Sequence, residues 1–184
     1  MERTGTTKSK SSGSQTIYQL KITLVGIRPP VWRRIQVESD ITLGRLHHII
    51  QMAMGWSSSH MHAFNIGGLF YGETDPELEL KNENRVKLNS VARSEKSKFR
   101  YEYDFGDDWQ HDILVEKILP VEPDVKYPRF ITGKRACPPE DCGGAWGYAS
   151  LLEAIADPEH EEHTESLEWF GEDFDPEEFD DEPF

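Results

Sequence analysis

The sequence predicts an α+β fold, a mostly antiparallel sheet packed against helices, and three observations carry that expectation. Apolar and polar residues alternate on both sides of Gly26-Ile-Arg-Pro-Pro30, the two-residue period of paired strands. From Leu43 to Met54 apolar residues recur every three or four positions, as they do on one face of a helix. Between Phe99 and Leu119 two further alternating runs flank Gly106-Asp107-Asp108. No internal repeat of roughly 20 to 50 residues and no Gly/Ser linker divides the chain. Residues 17–184 therefore read as one domain, acidic and helical from about residue 145, and the polar Ser/Thr/Lys-rich residues 1–16 read as a disordered leader.

In chain order, Tyr18, Leu20, Ile22 and Leu24 mark a first strand, and Val31, Arg33, Ile35 and Val37 mark a second that returns beside it as a hairpin. Asp40 or Thr42 caps the following helix and Gly55 ends it. Met61 to Ile66 forms a strand, Gly67-Gly68 a turn, and Leu69-Phe-Tyr71 a short return. A charged loop covers 73–84, and 86–91 reads as another strand. In the next hairpin, a three-residue loop would pair Phe105 with Trp109 and set Tyr103 opposite His111. Beyond it, Tyr148, Leu151, Leu152 and Ile155 have helical spacing up to Pro158. A second acidic helix is expected over 161–170, and a short turn at Asp175-Pro176. The strand-strand-helix-strand opening of the N-terminal half resembles a β-grasp.

The net charge of −14 is unevenly distributed: 17 of the 34 acidic residues follow Arg135, where there is no lysine or arginine. The first 135 residues carry 20 bases against 17 acids and are close to neutral. An acidic C-terminal third repels phosphate, which makes nucleic acid an unfavoured partner. Arg28, Arg33, Arg34 and Arg45 are the residues that could still meet it, and of these Arg33 and Arg34 are retained as candidate binding residues. No apolar run reaches the roughly 18 residues of a membrane span, and no signal-peptide centre is present. Two cysteines in 184 residues do not make a disulfide scaffold, so the expected setting is cytoplasmic, with no membrane partner.

Seven segments, taken together, resemble one family: Pro-Pro-Val-Trp-Arg-Arg (29–34), Thr-Leu-Gly-Arg-Leu-His (42–47), Met-Gly-Trp (54–56), His-Met-His-Ala-Phe (60–64), Tyr-Asp-Phe-Gly-Asp-Asp-Trp (103–109), Cys-Pro-Pro-Glu-Asp-Cys-Gly-Gly (137–144) and Phe-Asp-Pro-Glu (174–177). From about Ile17 onward the chain is similar to the Ri-plasmid open-reading-frame-three-like family, sometimes labelled transposon-resolvase-like. The resemblance implies an intracellular α+β domain from plasmid, mobile-element and chromosomal contexts, without an established activity. The resolvase label finds no support in the residues, because Ser57-Ser58-Ser59 has no neighbouring basic cluster to hold a scissile phosphate. Members of the family often carry a further cysteine where this chain reads Tyr127-Pro-Arg-Phe130.

The segment from Arg135 to Tyr148 gathers both cysteines, a Pro-Pro pair and three of its glycines into one constrained loop. Cys137 and Cys142 have a spacing that paired thiolates of a metal site use, and His60, His62 or His111 would complete a tetrahedral set for zinc or another divalent cation. Two other readings stand beside it: thiols that pack as small apolar groups, which is favoured and leaves the protein without a cofactor, and a redox disulfide. Asp104, Asp107, Asp108 and Asp112 at the hairpin tip offer oxygen ligands for Mg²⁺ or Ca²⁺, or serve only as turn residues in solvent. Tyr101, Tyr103 and Trp109 share one strand face and are the candidate binding groove for a protein partner, a basic one if the acidic C-terminal segment flanks it. Nothing resembles a nucleophile elbow, a phosphate-binding glycine loop or a dinucleotide fingerprint. The expected function is a noncatalytic protein-interaction module. A metal-dependent hydrolase or nuclease-like enzyme and a DNA-binding accessory protein are the alternatives.

Overall fold

The computed structural model describes residues 15–75, 77–171, 174–179 and 184. The expected leader lies almost wholly outside the described residues. Eight strands, β1 (Thr16–Leu24), β2 (Trp32–Glu38), β3 (His62–Ile66), β4 (Leu69–Gly72), β5 (Lys81–Asn82), β6 (Lys98–Tyr103), β7 (Trp109–Pro120) and β8 (Arg129–Lys134), form one sheet. Four α-helices accompany it: α1 (Leu43–Met54), the single turn α2 (Leu88–Val91), α3 (Gly144–Ala156) and α4 (His163–Phe170). The sheet order is β5-β4-β3-β6-β7-β1-β2-β8, and every neighbouring pair is antiparallel except β4 with β5. The fold is therefore α+β, as the alternation of apolar residues indicates. No helix among the described residues is long and apolar enough to cross a membrane.

The β1–β2 hairpin puts Leu20, Ile22, Leu24, Ile35 and Val37 on one face, where they are buried in the core. α1 then crosses the same face. Thr42 caps it by accepting from the Arg45 amide at 3.1 Å, and Gly55 ends it in the left-handed region at φ 77°. Its Leu43, Leu46, Ile49, Ile50, Ala53 and Met54 press on the sheet. Beneath them the strands present Phe64, Phe99, Tyr101, Tyr103, Trp109 and Ile113 as an aromatic floor. The opposite face is polar, and Arg34 of β2 spans it to Glu116 of β7 at 2.6 Å.

Three expectations are corrected. The β6–β7 loop has five residues rather than three, so Tyr103 pairs with Trp109 and Tyr101 with His111. Asp104 and Asp108 both take positive φ there, and the Asp108 amide donates to the Asp104 carbonyl at 2.7 Å. Residues 86–91 end in a helical turn rather than a strand, because the Leu88 and Asn89 amides donate to Ile41 and Ser39 ahead of α1. The β-grasp comparison stops at the opening elements, since β1 is antiparallel to both of its neighbours. Two strands join the sheet unannounced as its edges: β8 beside β2, and the two-residue β5 beside β4, inside the segment expected to be a charged loop.

Candidate functional site around the cysteine loop

α3 and the loop before it lie across the end of the sheet where the β1–β2 and β6–β7 turns meet. A Cβ on Gly144 would collide with the Asp107 carbonyl, and one on Gly26 would stand 3.2 Å from the Ala145 Cβ. The loop's path depends on left-handed residues at Arg135, Asp141, Gly143 and Gly144. Gly147 has no room for a side chain against the Cys142 carbonyl. Polar contacts complete the docking. Trp56 donates to the Pro138 carbonyl at 2.8 Å, and the Gly143 amide donates to Asp107 at 3.1 Å. Glu140 accepts from the Tyr103 hydroxyl at 2.5 Å and from the Ser57 amide at 2.9 Å. Burial pushes the Glu140 carboxyl up, but the hydrogen bonds from Tyr103 and Ser57 outweigh it and hold the group below the usual carboxylate range.

The loop's cysteines are free thiols built into packing. Cys137 accepts from Arg33 at 3.1 Å and lies 3.6 Å from the Met54 sulfur. Burial pushes it up to about 11, only partly offset by Arg33. Cys142 is pushed up to about 12 by burial and by Asp107 and Asp141 nearby. Burial thus disfavours the thiolate form of both cysteines.

The structure does not bring the proposed ligand set Cys137, Cys142, His60, His62 and His111 together. His62 bonds the buried Glu83 at 2.8 Å, and its ring stacks on His47 with centroids 3.5 Å apart. His111 is fully buried, with Nδ1 3.3 Å from the Tyr101 carbonyl and its ring edge-on to Trp56. Only His60 reaches the loop, and it meets carboxylates rather than thiols: Asp104 at 3.8 Å and Asp141 at 3.1 Å. His60, Asp104 and Asp141 are the one group of three or more potential ligands among the described residues.

The binding residues expected from the aromatic strand face are likewise placed elsewhere. Tyr101, Tyr103 and Trp109 are at most 1% exposed, because α1 and Trp56 cover the face that would have been a groove. Arg33 is buried and donates to the carbonyls of Trp32, Ala53 and Lys134. Arg34 is paired bidentately with Glu116. Neither arginine is free for a phosphate or an acidic partner.

A buried polar network went unread in the sequence. His47 bonds the Tyr101 hydroxyl at 2.7 Å and the Ser58 hydroxyl at 2.6 Å, and Gln51 donates to the same tyrosine at 2.9 Å. Position 47 falls between Leu46 and Ile50 on the apolar face of α1, so its helical spacing was the available signal. Burial, with His62 and His48 close by, pushes His47 down to about 3.

The accessible concavity of this region lies between α3 and α4. It is a groove of about 350 Å³ bounded by Cys142, Gly147, Leu151, Glu162, Glu165 and Trp169. Trp169 is 48% exposed, and Trp146, one turn before Ser150 of the same groove, is 89% exposed. Among the described residues, the only formal charges on its lining are negative: Asp141, Glu162 and Glu165. Residues 174–177 lie back against the body of the fold. Pro176 accepts from the Ala136 amide at 3.0 Å, Glu177 pairs with Arg135 at 2.8 Å, and Phe170 stacks on Phe174.

The comparisons agree with this architecture. A crystallised protein of unknown function from Methanosarcina mazei Go1, MM3350, is 41% identical and superposes with a TM-score of 0.83, covering 91% of this chain and 96% of its own. The uncharacterised protein y4hQ of Sinorhizobium fredii (strain NBRC 101917 / NGR234) is 42% identical over 159 residues, 85% of this chain and 81% of the relative. The family described as plasmid pRiA4b ORF-3-like protein matches residues 16–183, and the chain belongs to that family.

Proposed function

We propose that this protein is a noncatalytic interaction module that seats a basic, amphipathic segment of a protein partner between α3 and α4. The observation that supports the reading is the groove itself, where an apolar floor from Leu151 and Trp169 meets an acidic rim from Asp141, Glu162 and Glu165. With no lysine or arginine after Arg135, neither helix supplies one to neutralise the rim, and a partner supplying lysine or arginine gains complementarity and faster encounter. An apolar anchor on the same partner would bury the exposed faces of Trp146 and Trp169, residues of the type that dominates binding hot spots.

A peptide-display selection on the immobilised full-length chain tests it. The expected result is enrichment of segments in which lysine or arginine flanks an aromatic or aliphatic anchor, with affinity that weakens as salt rises. The double substitution Glu162→Lys and Glu165→Lys, at exposed positions, should remove that binding while leaving the thermal transition in place. Selection of acidic segments, no selection, or binding indifferent to the double substitution would refute the reading.

A further inference from the structure

The meeting of His60, Asp104 and Asp141 calls for an explanation beyond loop docking. The three come from the segment before β3, the first residue after β6, and the cysteine loop. One ligand atom from each lies within 4.8 Å of the other two. Asp107, which accepts from the Gly143 amide, and Glu140, which accepts from Tyr103, flank the group in the same two loops. Crowded carboxylates repel one another unless a cation lies among them.

The atomic geometry is more specific than an ion pair. His60 Nε2 is sealed from solvent and lacks any hydrogen-bond partner, although Asp141 Oδ1 is only 3.1 Å away. The carboxylate is close but off the direction in which a ring N–H would donate. Two donors held at about 2.1 Å by one metal ion stand about 3.0 Å apart at a right angle and about 3.4 Å apart at the tetrahedral angle. The 3.1 Å separation falls between the two. The Asp104 Oδ1 atom is engaged by the Gly106 amide at 3.0 Å, which leaves Oδ2 available; it lies 3.8 Å from the other ring nitrogen, Nδ1, of His60, and within the 4.8 Å spread of the three ligand atoms. Asp141, with its side chain 69% exposed, has the freedom to close the cluster.

We infer that His60, Asp104 and Asp141 form a binding site for a first-row divalent cation, tying the β6–β7 turn to the cysteine loop. One imidazole nitrogen and two carboxylate oxygens suit Zn²⁺ or Mn²⁺ better than the all-oxygen preference of Mg²⁺ or Ca²⁺. Three protein ligands leave at least one coordination position open to water or to a ligand's oxygen. The site does not depend on a partner in the α3–α4 groove, and the Glu162/Glu165 substitutions leave it intact.

The test is calorimetric titration of the untagged, full-length chain with zinc chloride and, separately, manganese chloride, paired with thermal denaturation. One equivalent should bind with at least one of the two metals, and saturation should raise the melting temperature, because the ion binds the folded state. Asp141→Asn and His60→Asn should each weaken binding about tenfold or more, on the scale by which metal sites respond even to the loss of an outer partner. Asp141→Asn removes an exposed charge, so its metal-free melting temperature should match the parent and exclude misfolding as the cause. His48→Asn, at an exposed histidine elsewhere, should bind as the parent does. No binding of either ion, or binding that survives both Asp141→Asn and His60→Asn, would overturn the assignment.

Discussion

Lowering the pH from 7.5 to 5.5 should destabilise this protein by about 3 kcal/mol, through two buried histidines that the folded chain holds neutral. His47 lies under α1 and is 3% exposed, and His111 lies in the sheet at 0%. Burial is the leading cause in both cases and pushes them down to about 3 and about 4. An unfolded chain carries histidines that titrate near 6.5. Between that value and the folded ones the unfolded state binds more protons, so stability is complete above about pH 6.5 and declines as pH falls through the window. At pH 5.5, one unit below the unfolded value, each residue contributes a loss of about 1.4 kcal/mol. That figure does not depend on whether the folded values are 3 or 4, since both lie far below 5.5.

The same window leaves the carboxylates out. Glu116, held down chiefly by its hydrogen bonds from Arg34, and Glu140 both have depressed values, and their contributions are lost only at lower pH. Urea titration followed by tryptophan fluorescence is the assay. With a denaturant slope of about 2 kcal/mol per molar, the midpoint should fall by about 1.4 M between pH 7.5 and 5.5. His47→Gln should lower stability at both pH values yet remove half of the difference between them, and His111→Leu should do the same. A midpoint that holds steady or rises on acidification, or a difference untouched by both substitutions, would refute the reasoning.

Two further substitutions probe the docking of the loop. Arg33→Met strands the carbonyls of Ala53 and Lys134 and removes the donor to Cys137; it should cost about 2–4 kcal/mol in urea denaturation, and a loss under 1 kcal/mol would show that Arg33 packs rather than bonds. Gly147→Ala drives a methyl group into the Cys142 carbonyl; it should lower the melting temperature by several degrees and raise amide exchange across residues 137–147, and an unchanged exchange pattern would contradict the tight docking described above.

The elements read correctly from sequence are those whose signals are local. The alternation in β1 and β2, the Thr42 cap and the Gly55 stop each lie within a few residues of the structure they dictate. The β6–β7 hairpin shows where that reasoning ends. Moving from a three-residue to a five-residue loop shifts the pairing by two positions, which keeps every side chain on its original face. Hydrophobic alternation is therefore blind to the difference, and the choice falls to Asp104 and Asp108, both at positive φ. The aromatic face was read correctly for Phe99, Tyr101, Tyr103 and Trp109, but not for Phe105, which lies in the turn and is exposed; its burial was not read at all, because whether a face is core or groove depends on what crosses it. Here α1 crosses it, leaving Tyr101, Tyr103 and Trp109 inside. β8 escaped notice for a related reason: at the sheet's edge its residues are only partly buried and show no alternation.

The cysteine loop joins these two lessons. Its composition signalled a defined backbone, and the structure accounts for much of it by close contacts, some local and some with residues distant in sequence. Gly144 clears the Asp107 carbonyl, Gly147 clears Cys142, Arg135 clamps Glu177, and Cys137 fills the space between Arg33 and Met54. Both cysteines pack against the core, and what the loop offers outward is acidic: Asp141 beside His60 and the rim of the α3–α4 groove. Rigidity and function are thus divided between neighbours. The glycines, prolines and thiols hold the loop in place, and that fixed placement brings one exposed carboxylate to two surfaces at once. Because Asp141 serves both, Asp141→Asn should disturb cation and peptide binding together, whereas Glu162→Lys with Glu165→Lys should disturb only the peptide.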